Sequence, residues 1–278
     1  MTKNELYDKI REKKSYLCIG LDSDVEKMPG HLKSKVDPVF YFNKAIVDMT
    51  QDVCVAYKIN TAFYEAQGNK GWRSLEKTAG YIKEKYPDIF LIADAKRGDI
   101  GNTANMYAET FFSRLNFDAV TLSPYMGKDS VEPFLQYKNK WVILLGLTSN
   151  PGAGDFQLMK TGEKDQYLFE KVMKTASKWG SDENTMFVTG ATQTEHLKKI
   201  REIIPDHFLL VPGVGAQGGS LEEISQMTLN QQGGILVNAS RSIIFSDSSK
   251  NFEVAARDQA IKLNRQMERL LKDKKVIE

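Results

Sequence analysis

The stretch Phe90-Leu91-Ile92-Ala93-Asp94-Ala95-Lys96-Arg97-Gly98-Asp99-Ile100 sets the fold. Apolar residues in unbroken succession run into two carboxylates and an ammonium, and a glycine follows. A strand that is apolar on both faces is covered on both faces, as in parallel sheets flanked by helices. Charges gathered where such a strand opens into a loop face the C-terminal end of the sheet. That end is where barrels of alternating strands and helices keep their working residues.

Outward from this stretch, seven more short runs of the same kind recur. They are Tyr16–Leu21, Val53–Lys58, Asp118–Leu122, Trp141–Leu147, Met186–Thr189, Phe208–Val211 and Gly234–Asn238. Between them lie segments of helical period. Trp72, Leu75, Ala79, Ile82 and Tyr86 form one stripe, and Tyr107, Phe111 and Leu115 another. Leu168, Val172, Ala176 and Trp179 repeat the pattern, as do Leu197, Ile200 and Ile204, then Leu221, Ile224 and Met227. A last helix is expected over Phe252–Leu271. Strand and helix in strict alternation require right-handed parallel crossovers, and eight such units can close on themselves. The expected fold is α/β, a single (β/α)8 TIM barrel spanning 1–278 as one domain, in preference to an open doubly wound sheet.

Composition narrows the partners. Charged residues make up 27% of the chain and the formal net charge is only +2. No basic stripe or acidic tail points to nucleic acid or a membrane surface, and a small anionic substrate fits better. The first residues are charged and amphipathic, and the longest strongly apolar stretch, Trp141–Leu147, is too short to span a bilayer. A cytoplasmic protein is expected. Cys18 and Cys54 each sit in an apolar run without CxxC or metal-ligand spacing, so they read as inert core thiols. His31, His196 and His207 are scattered, and neither a metal site nor a Ser/His/Asp triad can be assembled from them.

Three early strands end in charge: Leu21-Asp22, Lys58 with Asn60 two residues on, and Asp94-Ala95-Lys96. Any one of these alone is an ordinary solvated strand end; three in succession are not. Asp94 and Lys96 are two apart, so on an extended strand end they point to one side and can share one site. A lysine beside carboxylates keeps its proton, which suits proton donation and disfavours Schiff-base chemistry. After the seventh run comes Pro212-Gly213-Val214-Gly215-Ala216-Gln217-Gly218-Gly219-Ser220, and after the eighth Ala239-Ser240-Arg241. Glycines let backbone amides approach an anion, an arginine grips phosphate in bidentate fashion, and barrel phosphate sites lie after these two strands. The polar stretch from Thr148-Ser149-Asn150-Pro151-Gly152 to about Asp165 has the length of a lid, although an ordinary surface insertion would look much the same.

With these residues in view, the sequence resembles the orotidine 5'-phosphate decarboxylases. Asp94-x-Lys96-x-x-Asp99-Ile100-x-x-Thr103 is similar to the family's signature. Asp22, Lys58, Ser149-Asn150-Pro151-Gly152, Pro212–Gln217 and Arg241 fall in matching order, and loop lengths resemble the longer bacterial-type branch. The resemblance implies a cofactor-free and metal-free enzyme that converts orotidine 5'-phosphate to uridine 5'-phosphate. Lys58, Asp94, Lys96 and Asp99 would form an alternating catalytic network in which Lys96 protonates C6. A homodimer is implied, with Asp99, Ile100 and Thr103 reaching into the neighbouring subunit's site. Asp22 would hold a ribose hydroxyl and Ser149 the pyrimidine amide. Pro212, Gly215, Gln217, Ser240 and Arg241 would line the phosphate end. Ser240 departs from the glycine common in the family, and its side chain would either crowd the phosphate or add a donor. Competing readings are a related Mg2+-dependent sugar-phosphate decarboxylase or synthase, a Schiff-base aldolase, and a catalytically dead nucleotide-binding regulator.

Overall fold

A computed structural model describes residues 1–162, 166–214 and 219–278. Eight parallel strands close into a barrel: β1 Leu17–Gly20, β2 Ala56–Asn60, β3 Phe90–Arg97, β4 Ala119–Leu122, β5 Trp141–Leu147, β6 Thr185–Thr189, β7 Phe208–Pro212 and β8 Ile235–Ala239. The ring is completed where β1 pairs on one side with β2 (Cys18 opposite Ala56) and on the other with β8 (Leu17 opposite Val237). Each strand overlaps one of the apolar runs, because burial on both faces leaves no room for alternation. Cys54 lies just before β2 instead of within it, yet is fully buried like Cys18.

The barrel interior is layered by alternate strands. Phe90, Trp141 and Phe208, the first residues of β3, β5 and β7, meet edge to face with ring centroids 6.1 and 6.3 Å from Trp141, and form an aromatic floor. Side chains two apart on a strand share a face, so the line Phe90, Ile92, Asp94 climbs from this floor to a carboxylate at the mouth. The floor is closed from below by the N-terminal segment: the Trp141 indole N–H donates to the Met1 carbonyl at 2.8 Å. Nearby, the half-buried Arg201 guanidinium donates to the carbonyls of Ile204, Pro205, His207 and Gly234, stapling the starts of β7 and β8.

The stripes become helices Gly68–Lys85, Gly101–Ala108, Leu168–Ala176, Thr194–Ile203, Leu221–Thr228 and Phe252–Asp273. Their packing faces bury Leu75, Ala79, Ile82, Leu197, Ile200 and Ile224, whereas Trp72 and Met227 stay exposed at the stripe edges. Beyond Ala108 the helix widens into a π-helical turn, Glu109–Arg114. Among its described residues, the polar stretch after β5 carries a short helix, Ala153–Phe156, and an antiparallel pairing of Lys160–Thr161 with Gln166–Tyr167.

Candidate active site

Side chains from the first four strands converge at the C-terminal mouth. Lys58 on β2 reaches Asp94 Oδ2 at 3.0 Å and Asp22 Oδ1 at 3.5 Å, and Asp94 Oδ1 accepts from Lys96 Nζ at 2.6 Å. The charges therefore alternate in space: Asp22, Lys58, Asp94, Lys96. Lys58 is only 3% exposed and Asp94 9%, while half of the Lys96 side chain is open. Burial disfavours the charge on Lys58, but Asp94 and Asp22 outweigh it and hold the ammonium above the usual lysine range. Burial likewise opposes the charge on Asp94, and the ammonium groups of Lys58 and Lys96 overcome it, leaving its pKa at about 2.

Asp94 and Lys96 meet by a different route from the extended geometry expected of them. Lys96 has φ +46, and the β3–β4 register jumps from Ala93 opposite Val120 to Arg97 opposite Leu122. A bulge, in place of simple two-residue alternation, brings the lysine back over the carboxylate. Thr121, opposite this bulge, accepts from the Lys96 backbone N–H at 2.9 Å and donates to Asp94 Oδ1 at 3.0 Å. Nothing in the β4 run marks Thr121 as special except a hydroxyl inside a buried strand. The far side of the bulge is tied down by Arg97, which pairs with Glu65, donates to the Ala95 carbonyl at 3.0 Å and lies over the rings of Tyr107 and Phe111.

Asp99, Ile100 and Thr103 stand apart from this cluster within the chain. Asp99 Oδ1 accepts the Ile100 amide at 2.8 Å, Ile100 is 49% exposed, and Thr103 is exposed on the helix Gly101–Ala108.

A cavity of about 190 Å³ joins Asp22, Lys58 and Asp94 to Pro212, Ser240 and Arg241 across the mouth. A larger hollow of about 500 Å³ near Phe156 and Phe169 is apolar and lacks convergent charge. Ser240 is tied to the neighbouring strand. Its hydroxyl donates to the Gly20 carbonyl at 2.9 Å, and a Cβ on Gly20 would lie 2.7 Å from its own Cβ, so this seam between β8 and β1 needs the glycine. Arg241 is exposed on the turn that follows. Ser149 packs against Gly190 beyond β6, where any Cβ would come within 2.6 Å of the Ser149 amide. The loop carrying it is held by Gln157, whose Oε1 accepts from the Thr148 amide at 2.7 Å. Gly215 and Gln217 lie outside the described residues.

Fold and site first define a class: a parallel barrel with an alternating Lys/Asp cluster on its early strands and an arginine past its last. Residues 15–256 match the Orotidine 5'-phosphate decarboxylase / HUMPS family, and the chain belongs to that family. It is 57% identical over 272 residues to the orotidine 5'-phosphate decarboxylase of Bacteroides fragilis, covering 98% of this chain and 99% of that protein. To its counterpart in Phocaeicola vulgatus it is 56% identical over 271 residues, with 98% and 99% covered. The solved OMP decarboxylase of Leishmania donovani superposes with a TM-score of 0.80 at 33% identity, covering 96% of this chain and 99% of that one.

Proposed function

We propose that this chain decarboxylates orotidine 5'-phosphate to uridine 5'-phosphate and CO2, the last step of de novo UMP synthesis, in the cytoplasm and without a cofactor. The observation that carries the reading is the half-exposed Lys96 side chain, its ammonium braced at 2.6 Å by the Asp94 carboxylate that Lys58 also holds, and the cavity that joins this carboxylate to Arg241. No helix among the described residues is long and apolar enough to cross a membrane.

Breaking the C6–carboxylate bond leaves an electron pair on an sp2 carbon with no easy delocalisation. Enzymes typically remove roughly 8 to 23 kcal/mol of such barriers, and fixed charge in a dry site is the largest single means. Lys96 faces the developing carbanion and transfers its proton to C6 as CO2 leaves, then regains a proton from solvent. Lys58 and Asp94 keep that ammonium in place without a reorganisation step. Asp22 holds a ribose hydroxyl, Ser149 the pyrimidine amide, and Arg241 with Pro212, Gly215, Gln217 and Ser240 the phosphate end. Ser240 contributes through its backbone, since its hydroxyl is committed to Gly20. Asp99, Ile100 and Thr103, free of the cluster in their own chain, complete the site of a second copy in a homodimer. Residues 1–278 act as one domain in each copy.

The test is incubation of metal-stripped protein with orotidylate while the substrate's absorbance is followed. Loss of absorbance that chelator does not slow is expected. Turnover only on addition of Mg2+, or none at all, overturns the reading. Mixing Lys96→Ala with Asp99→Ala protein should restore turnover, and no recovery after proven subunit exchange removes the shared site.

A further inference from the structure

We infer that Thr121 is a positioning residue for the Lys96 ammonium, acting through the β3 bulge and the Asp94 carboxylate. The inference rests on the reading of Lys96 as the proton donor. Between the pairs Ala93–Val120 and Arg97–Leu122, three residues of β3, Asp94, Ala95 and Lys96, stand opposite one residue of β4, and that residue is Thr121. A bulge leaves its extra residues without ladder partners. The Lys96 amide nevertheless has one, the Thr121 hydroxyl oxygen at 2.9 Å. Lys96 also has φ +46, a left-handed conformation that costs a residue with a Cβ and persists only where the surroundings impose it.

The hydroxyl has one proton, and its direction is fixed by its neighbours. A backbone N–H can only donate and an ionised carboxylate can only accept. Thr121 therefore takes its hydrogen bond from Lys96 N and gives its own to Asp94 Oδ1 at 3.0 Å. Asp94 Oδ1 then faces Thr121 and Lys96, and Oδ2 faces Lys58. One fully buried hydroxyl thus sets both the backbone from which the lysine springs and the carboxylate that steers its tip. Thr121 touches Lys96 and Asp94 through these two bonds; its effect on the reacting carbon passes through them.

The experiment compares Thr121→Val, which keeps shape and removes the hydroxyl, with Thr121→Ser, which keeps the hydroxyl. Hydrogen bonds to charged groups at active-site distances support an expected kcat loss of about ten- to a hundredfold for Thr121→Val. KM should stay within about twofold, since substrate grip is elsewhere, and Thr121→Ser should recover most of the rate. If Thr121→Val does not fold, Thr121→Ala carries the same comparison. Wild-type kcat in the hydroxyl-free variant, a loss confined to KM, or a Thr121→Ser variant as slow as Thr121→Val at equal thermal stability each overturns the inference. Lys96→Ala is assayed alongside. If it is inactive while Thr121→Val is normal, only the role of Thr121 falls; if Lys96→Ala itself turns over normally, both readings fall.

Discussion

At the ends of β1 to β3 the mouth of the barrel carries Asp22, Lys58, Asp94 and Lys96, each within 3.5 Å of an opposite charge in the same chain. Beyond β7 and β8 it carries Gly213, Ser240 and an exposed Arg241 that pairs with no carboxylate among the described residues. The first half is organised before any ligand arrives. Buried charges there are costly to desolvate, and they stand because every one is answered by another. That is the arrangement electrostatic catalysis requires, since dipoles and charges already in place need not reorganise during the reaction. The second half keeps the Arg241 cation exposed and Gly213 half-exposed, which suits capture of an anion from water. On the proposed function, chemistry and grip are separated across the barrel, and substitutions in the two halves should fail differently.

The largest effect is expected at the organised half. Lys96→Ala should lower kcat by about a thousandfold or more, within or beyond the usual range for a positioned proton donor. Uridylate affinity, measured by calorimetry, should stay within about tenfold, because the lysine serves the transition state more than the product. Equal losses in rate and affinity would erase the division between the halves. At the other half, Arg241→Ala should cost about a hundredfold in kcat/KM with orotidylate, as expected for charge-assisted bonds to phosphate. Orotidine, which has no phosphate, should lose almost nothing on the same variant; equal losses on both substrates would remove the phosphate role.

The difference between the halves also governs what the sequence discloses. All eight strands are legible, and Trp141–Leu147 matches to the residue, because doubly covered strands are written as plain apolar runs. The start of β2 is displaced: Val53 to Val55 are apolar but precede the strand, which instead continues to Asn60 opposite Asp94. Lys58, Asp94 and Lys96 are legible as charges ending apolar runs. The bulge that unites the latter two is not, since it is a property of β3 paired against β4, and Thr121 enters the site only through that pairing. Ser240 likewise presents two readings in sequence, crowding or donation, and nothing there shows that its hydroxyl turns instead to Gly20, 220 residues away. The order found in the loop after β5 depends on polar side-chain bonds such as Thr148 with Gln157, which leave no hydrophobic period to read.

The smallest effect sharpens the comparison through stability. Asp94 is held at about 2 in the folded chain against an ordinary 3.8, a difference worth about 2 kcal/mol at neutral pH. A depressed carboxylate stabilises the fold above its unfolded pKa and loses that contribution as pH falls through the folded value. Asp94→Asn should therefore be less stable than the parent by about 2 kcal/mol at pH 7, the substitution leaving Lys58 buried with only Asp22 at 3.5 Å. The gap in denaturant-unfolding free energy should narrow from about pH 4 and nearly close near pH 2, where the parent's own Asp94 takes up its proton. Arg241→Ala should shift stability by less than about 0.5 kcal/mol at any of these pH values, as exposed substitutions do. A pH-independent gap for Asp94→Asn would mean that the variant fails by packing and not by charge. A large cost for Arg241→Ala would mean that the gripping half, too, is tied into the fold before its anion binds.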